Sequence, residues 1–117
     1  MTRPSALSPT DFHVLLVLAS GDLYGYAILK AVREESSGAV RPEIGSLYRV
    51  LARLMSLGLV DEVEAPGNAP AIHRGRTRRY YRLTRRGRDV LASETRRLET
   101  AVRIARKRAR DEGAAGS

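Results

Sequence analysis

The sequence predicts a mainly helical α+β domain in which one small β-hairpin precedes a long C-terminal helix. Three observations predict this class. Apolar residues recur at helical spacing in three short segments before residue 57. Two segments rich in strand formers, near residues 60–64 and 79–83, flank a loop that contains proline and glycine. Residues 85–110 read as one helix of about 39 Å, which is as wide as a small domain.

Length and composition narrow the class of protein. The chain has 117 residues, which suits a single domain, and it has no cysteine, which excludes disulfides and thiolate metal sites. No apolar run approaches the roughly 18 residues that a membrane span needs, and the N-terminus lacks the pattern of a signal peptide. We therefore expect a cytoplasmic protein with no membrane partner.

Positive charge is concentrated towards the C-terminus. The formal net charge is +8 at pH 7. Residues 1–73 hold six basic and eight acidic side chains, whereas residues 74–110 hold fifteen basic and three acidic ones. Such a local excess predicts a surface for an anionic partner. Nineteen of the 21 basic residues are arginine, which suits phosphate and base contacts but is equally expected from a GC-rich genome.

The first two helices have clear boundaries in the sequence. Ser8, Pro9 and Asp11 form the pattern of a capping box with proline at the first helical position, so a helix should start at Ser8. Its apolar residues leave no polar face, and we expect it to be covered on most sides. A second helix is predicted from about Leu23 to Glu35.

A third helix is predicted between Pro42 and the glycine turn at Gly58. Its apolar positions are Ile44, Leu47, Tyr48, Leu51, Leu54 and Met55. The spacing leaves Ser46, Arg49 and Arg53 towards the other face. An apolar face beside a basic face is typical of a helix that packs on a core and binds an anion.

The hairpin and the last helix complete the chain. Side chains alternate along a strand, so one ring of Tyr80 and Tyr81 should enter the core while the other faces out.

Thr84 can cap the last helix. That helix carries a thin apolar stripe, formed by Leu91, Leu98, Val102 and Ala105. Because the helix is at least as long as the domain is wide, part of it would extend beyond its own domain. The stripe therefore predicts a homodimer, with a solvated helix as the alternative.

The order helix, helix, helix, strand, strand, helix is that of a winged helix-turn-helix. We therefore divide the chain into a winged helix-turn-helix DNA-binding domain (7–84), a dimerisation helix (85–110) and a disordered tail (111–117). In this fold the third helix enters the major groove of double-stranded DNA. Its predicted DNA contacts are Ser46, Tyr48, Arg49 and Arg53. The predicted wing contacts are Arg74, Arg76, Arg78 and Arg79, for which a solvated basic loop is the alternative.

No catalytic or metal-binding set is predicted. His13 and His73 fall on different types of element, and two imidazoles without cysteine are a poor zinc site. The adjacent acidic residues are typical of solvated faces. The sequence therefore indicates a protein that is not an enzyme and has no metal or cofactor.

Three segments together resemble the PadR family of bacterial transcriptional regulators. They read Leu-Tyr-Gly-Tyr-Ala-Ile at 23–28, Ile-Gly-Ser-Leu-Tyr at 44–48 and Arg-Tyr-Tyr-Arg-Leu-Thr at 79–84. The resemblance implies a winged-helix homodimer with one C-terminal dimerisation helix, which represses genes by binding a palindromic operator. Arg49 stands where many members of the family have proline, and the wing is longer than usual.

The same resemblance implies release from DNA by a small hydrophobic effector. Its pocket would lie between the first and last helices at the dimer interface, with Phe12, Leu16 and Leu98 as lining. Ordinary packing of these side chains is the alternative. A winged-helix module that binds structured RNA or a protein partner through its basic surface is a second reading of the function.

Overall fold

Seven elements form the fold in the computed structural model, which describes residues 7–66 and 79–115. They are α1 (Pro9–Leu18), β1 (Leu23–Tyr24), α2 (Gly25–Glu35), α3 (Ile44–Ser56), β2 (Val60–Val63), β3 (Tyr80–Leu83) and α4 (Arg85–Ala115). The strands form an antiparallel sheet in the order β1-β3-β2. This arrangement confirms the predicted α+β winged-helix fold. None of the described helices combines the length and apolar character that a membrane crossing requires.

The core lies between α1, the apolar faces of α2 and α3, and one face of the sheet. Its fully buried side chains include Val14, Leu15, Ile28, Val32, Leu47, Leu51, Leu54 and Val60. Helix α1 contacts α2, α3, α4 and β3, which is why its sequence is apolar on most sides. The three short helices predicted before residue 57 are thus present, one apolar on most sides and two amphipathic.

The capping box at the start of α1 is present as predicted. The backbone N–H of Asp11 donates to Ser8 Oγ at 3.1 Å, and the backbone N–H of Ser8 donates to Asp11 Oδ2 at 3.1 Å. Pro9 occupies the first helical position. These contacts fix the first turn of α1 and the place of the Asp11 carboxylate.

Two expectations about the sheet were wrong. Helix α2 starts at Gly25, because Leu23 and Tyr24 instead pair with Tyr81 and Tyr80 as a third strand. Both tyrosines of β3 are buried, at 5% and 2% exposure, although one was expected to face out. The added strand supplies the reason, since the Tyr24 ring lies against the Tyr80 ring with 5.6 Å between centroids.

Helix α4 begins at its predicted cap and ends later than expected. The Thr84 hydroxyl accepts from the backbone N–H of Gly87 at 2.9 Å and donates to the carbonyl of Gly58 at 2.7 Å. The helix continues to Ala115, so residues 111–115 are helical, although the sequence was read as a disordered tail from 111. An ion pair of 2.9 Å between Lys107 and Asp111 supports these last turns.

Candidate nucleic-acid interface

Helix α3 presents a polar face opposite the face that it buries in the core. Leu47, Leu51 and Leu54 are fully buried, whereas Arg49 is exposed and Arg53 keeps half of its side chain in solvent. Arg49 Nη2 donates to Ser46 Oγ at 3.1 Å. The structure therefore brings together the predicted contacts Ser46 and Arg49 and places Arg53 one to two turns further along the same helix.

Arg53 differs from Arg49 because it is anchored to another helix. Its Nη2 donates to Oδ1 of Asp11, the carboxylate of the α1 capping box. Asp11 is only 2% exposed. The two residues are 42 positions apart in the sequence, and no local pattern predicted the pair.

Tyr48 connects two of the sequence segments that pointed to the fold. Its spacing suggested an apolar position, yet the side chain is among the large exposed ones of the domain. A Cβ atom added at Gly25 would lie 2.6 Å from the Tyr48 hydroxyl oxygen. The Tyr48 ring of α3 therefore lies directly over the first residue of α2, and a larger residue there would displace it.

Of the four predicted wing contacts, Arg79 lies among the described residues, and it is exposed. Arg79 precedes β3, and its Nε lies 3.8 Å from the Glu62 carboxylate on β2. The other predicted wing contacts, Arg74, Arg76 and Arg78, lie outside the described residues. Arg82, which is on β3, ties this strand to Asp22, since its Nε and Nη2 donate to the two Asp22 oxygens at 3.1 and 2.8 Å.

The predicted dimerisation stripe divides into two parts. Leu91 is half-buried and packs against the core of its own domain. Leu98 is half-buried, while Val102 and Ala105 are exposed. From residue 101 to 113 every described side chain of α4 is exposed. The fully exposed part of the stripe therefore begins at Val102, about three turns after Leu91.

An open groove of about 560 Å³ runs between α1 and the second half of α4. We call it the α1–α4 groove; its lining residues are Phe12, Thr95, Leu98, Glu99, Val102, Arg103, Arg106 and Arg110. It contains two of the three predicted effector contacts, Phe12 and Leu98. Leu16 is half-buried in α1 and is not among the described residues that line the groove.

Glu94 joins α4 to the start of α1. Its carboxylate accepts from Arg97 Nε at 2.5 Å and from Nη2 at 3.2 Å, and it is largely buried. The hydrogen bond from Arg97 holds the pKa of Glu94 below its ordinary value, and a backbone hydrogen bond with Leu7 acts in the same direction. Among the described residues there is no group of three or more His, Asp or Glu that could hold a metal ion.

The family follows from a comparison with family models. Residues 14–93 match the model described as the transcriptional regulator PadR-like family. The chain belongs to the PadR-like family. PadR membership supports transcription regulation through DNA binding, and the matched residues include all of α3. Most of the exposed part of α4 lies beyond them.

Solved structures of transcriptional regulators agree with this fold over most of the chain. A PadR family transcription regulator from Clostridium difficile R20291 is 26% identical, covers 86% of this chain and 97% of its own, and superposes with a TM-score of 0.70. A transcriptional regulator from Clostridium thermocellum is 26% identical over 84% of this chain and 87% of its own, with a TM-score of 0.67. Both likenesses cover a larger share of the chain than residues 14–93, which match the family model.

A curated relative is closer in sequence but much longer. It is an uncharacterized 37.1 kDa protein in transposon TN4556 of Streptomyces fradiae, 40% identical over 81 residues. The match covers 69% of this chain, and the chain spans a fifth of the length of that relative. The match therefore relates this chain to one part of a larger protein.

Proposed function

We propose that this PadR protein is a dimeric, sequence-specific repressor that binds a palindromic operator. The observation that carries the proposal is the two-sided nature of α3. One face of the helix is fully buried, and the other presents Ser46, Arg49 and Arg53 at a spacing of three and four residues. A helix anchored in this way can lie in the major groove with guanidinium groups towards the base edges.

The chemistry of this face suits guanine. Arginine pairs bidentately with the O6 and N7 atoms of guanine, and the Ser46 hydroxyl limits where the Arg49 guanidinium can go. The first turn of α3 has free backbone N–H groups for a phosphate. The wing arginines add attraction for the backbone that is independent of sequence.

The second half of α4 supports the dimer. A helix of 31 residues that is exposed on all sides after residue 100 gains little from its own domain. Val102 is 48% exposed and continues the line of Leu98 and Phe12 along the groove. A second copy of α4 on this line would bury the apolar residues and create the twofold symmetry that an inverted repeat requires.

The α1–α4 groove is the proposed effector site. In the single chain the groove is open, with a volume of about 560 Å³, so the effector would lie in the part of it that the partner helix of the proposed dimer covers without filling. Phe12, Leu98 and Val102 give it an apolar floor, which suits a small hydrophobic compound. A screen of such compounds by thermal shift and by operator release tests the site, and a screen without any stabilising compound would contradict it.

The main test is selection of the purified protein on a random duplex DNA library at moderate salt. Enrichment of an inverted repeat with half-sites about one helical turn apart is the expected result. Recovery without an enriched motif would contradict sequence-specific binding. A preference for duplex RNA over DNA in a parallel selection would instead support an RNA-binding module.

Arg49→Ala tests the placement of α3. We expect the affinity for the selected operator to fall by about 1–3 kcal/mol and the preference at one base pair to relax, because Arg49 reads a base. Lys107→Ala removes an exposed cation from α4 and serves as the control for loss of charge alone. Equal operator preference in Arg49→Ala and in the parent protein would show that α3 does not read DNA as proposed.

A further inference from the structure

We infer that Asp11, a residue of α1, is a positioning residue for sequence discrimination by the recognition helix. The Asp11 carboxylate holds the Arg53 guanidinium, so that Arg53 favours the operator over unrelated DNA. This inference rests on the proposed function, because it requires α3 to lie on DNA. It adds a residue that does not itself touch the nucleic acid.

The Asp11 carboxylate is confined on both of its oxygens. Oδ2 accepts the backbone N–H of Ser8 at 3.1 Å, and Oδ1 accepts Nη2 of Arg53. The residue is 2% exposed, so water does not compete freely for these bonds. A buried carboxylate with a capping partner on one side is a rigid anchor for a cation on the other.

Arg53 is held at one end and open at the other. The bond to Asp11 uses Nη2, while 51% of the side chain remains exposed on α3. A guanidinium carries five N–H donors, so the anchored group retains donors for DNA. Because its rotamer is already fixed, Arg53 loses less conformational entropy when it meets a base or phosphate at one particular place.

The charge of Asp11 acts in the opposite direction on unrelated DNA. A neighbouring carboxylate offsets the positive charge of Arg53 and weakens the general attraction to phosphates. An arginine without this anchor could swing towards any phosphate within reach. Asp11 therefore lowers binding to unrelated sequences and preserves binding to the operator. Arg49 lacks such a partner, since its bond is to the neutral Ser46 hydroxyl in the same helix.

Asp11→Asn in the full chain tests the inference. The amide keeps the size of the side chain and an acceptor for the Ser8 N–H, but it removes the charge. Affinities are measured for the operator recovered by selection and for an unrelated duplex of equal length, at several salt concentrations. We expect the ratio of the two affinities to fall about tenfold. Affinity for the unrelated duplex should rise about twofold. The plot of its log affinity against log salt concentration should become steeper by about the slope of one phosphate contact.

Three controls separate positioning from a structural role. Ser8→Ala removes the acceptor of the Asp11 N–H but leaves the carboxylate and Arg53 in place, so it should lower the melting temperature and leave the ratio unchanged. In an Arg53→Ala background, Asp11→Asn should have no further effect on the ratio. Asp11→Glu, which retains the charge at the same helical position, should recover a ratio closer to that of the parent protein.

The outcomes are distinguishable. A parent protein that does not discriminate between the duplexes overturns the proposed function and this inference with it. A parent that discriminates, together with an Asp11→Asn protein that does so equally well, overturns the inference alone. If Asp11→Asn lowers the ratio of the two affinities as much in the Arg53→Ala background as in the parent protein, the inference is overturned as well. If Asp11→Asn does not fold by circular dichroism, Asp11→Ser is measured in its place under the same criteria.

Discussion

At the scale of single residues, contacts between distant segments decide several identities. Gly87 is the clearest case, because a Cβ atom there would overlap the carbonyl oxygen of Leu59 and lie 2.6 Å from Leu83 Cδ1. The first turn of α4 thus packs directly on the backbone that leads into β2. The sequence showed a glycine near the start of the helix, but only the packing explains why a methyl group cannot stand there.

Gly87→Ala should lower the free energy of unfolding by about 1–3 kcal/mol, because a backbone carbonyl cannot move aside as a flexible side chain can. Urea denaturation followed by circular dichroism measures the change. Gly45→Ala is the matched control, since a Cβ at this helical glycine has no neighbour within 4 Å. We expect that control to be neutral or to gain up to about 1 kcal/mol from helix propensity. Equal stability of Gly87→Ala and the parent would contradict the close approach.

In the candidate interface, the sequence predicted a contact within one helix but not the contact between two helices. Ser46 and Arg49 are three residues apart on one helix, so their proximity follows from helical geometry. Asp11 was identified from the capping box, and Arg53 from its place on α3. Their contact crosses 42 residues and depends on the packing of α1 against α3, which no local pattern records.

At the scale of elements, Glu94 ties the last helix to the first residues of the domain. The residue is largely buried on α4 and bonds to Arg97 one turn later, and Leu7 contacts it through the backbone. Sequence spacing found α4 and its cap at Thr84. It missed β1, because a strand of two residues has no periodicity of its own and exists only through its pairing with β3.

Glu94→Gln should destabilise the fold by about 1 kcal/mol at pH 7, because the charged hydrogen bond to Arg97 is lost. The folded-state pKa of Glu94 is lowered below the ordinary value of 4.5, first by that hydrogen bond. The stabilisation is therefore complete above the unfolded-state pKa and disappears as the pH falls through the folded-state pKa. Melting curves from pH 7 to pH 3 should converge for the two proteins.

Glu99→Gln is the comparison for that series, since Glu99 is exposed on the same helix. It should differ little from the parent protein at any pH. A difference between Glu94→Gln and the parent that stays constant down to pH 3 would show that packing, and not the carboxylate charge, accounts for the effect.

At the scale of the whole molecule, the proposed DNA-binding surface and the proposed dimer surface lie on different helices. The recognition face of α3 belongs to a helix that packs on the core, whereas α4 is exposed on all sides from residue 101 to residue 113. Two aliphatic side chains on this exposed segment are exposed to similar degrees, Val102 at 48% and Ile104 at 41%. Two positions along an α-helix place them on different faces, and of the two only Val102 lines the α1–α4 groove.

Val102→Arg should dissociate the proposed dimer, because a partner helix would have to bury the added charge. Sedimentation velocity at micromolar concentration measures the oligomeric state, and operator affinity should fall together with dimerisation. Ile104→Arg introduces the same residue on another face and should leave the dimer intact. A monomeric parent protein, or equal behaviour of the two variants, would contradict the groove as the dimer interface.

The sequence by itself determined the elements whose signals are local. Helical spacing, the capping box at Ser8 and Asp11, and the run of strand formers before Thr84 depend on residues within a few positions of one another. The tertiary structure decided what depends on packing between distant segments. These features are the pairing of β1 with β3, the burial of both β3 tyrosines, the anchoring of Arg53 by Asp11 and the division of the α4 stripe. Each of them joins residues that only the folded core brings into contact, so the physical reason for them lies outside any single element.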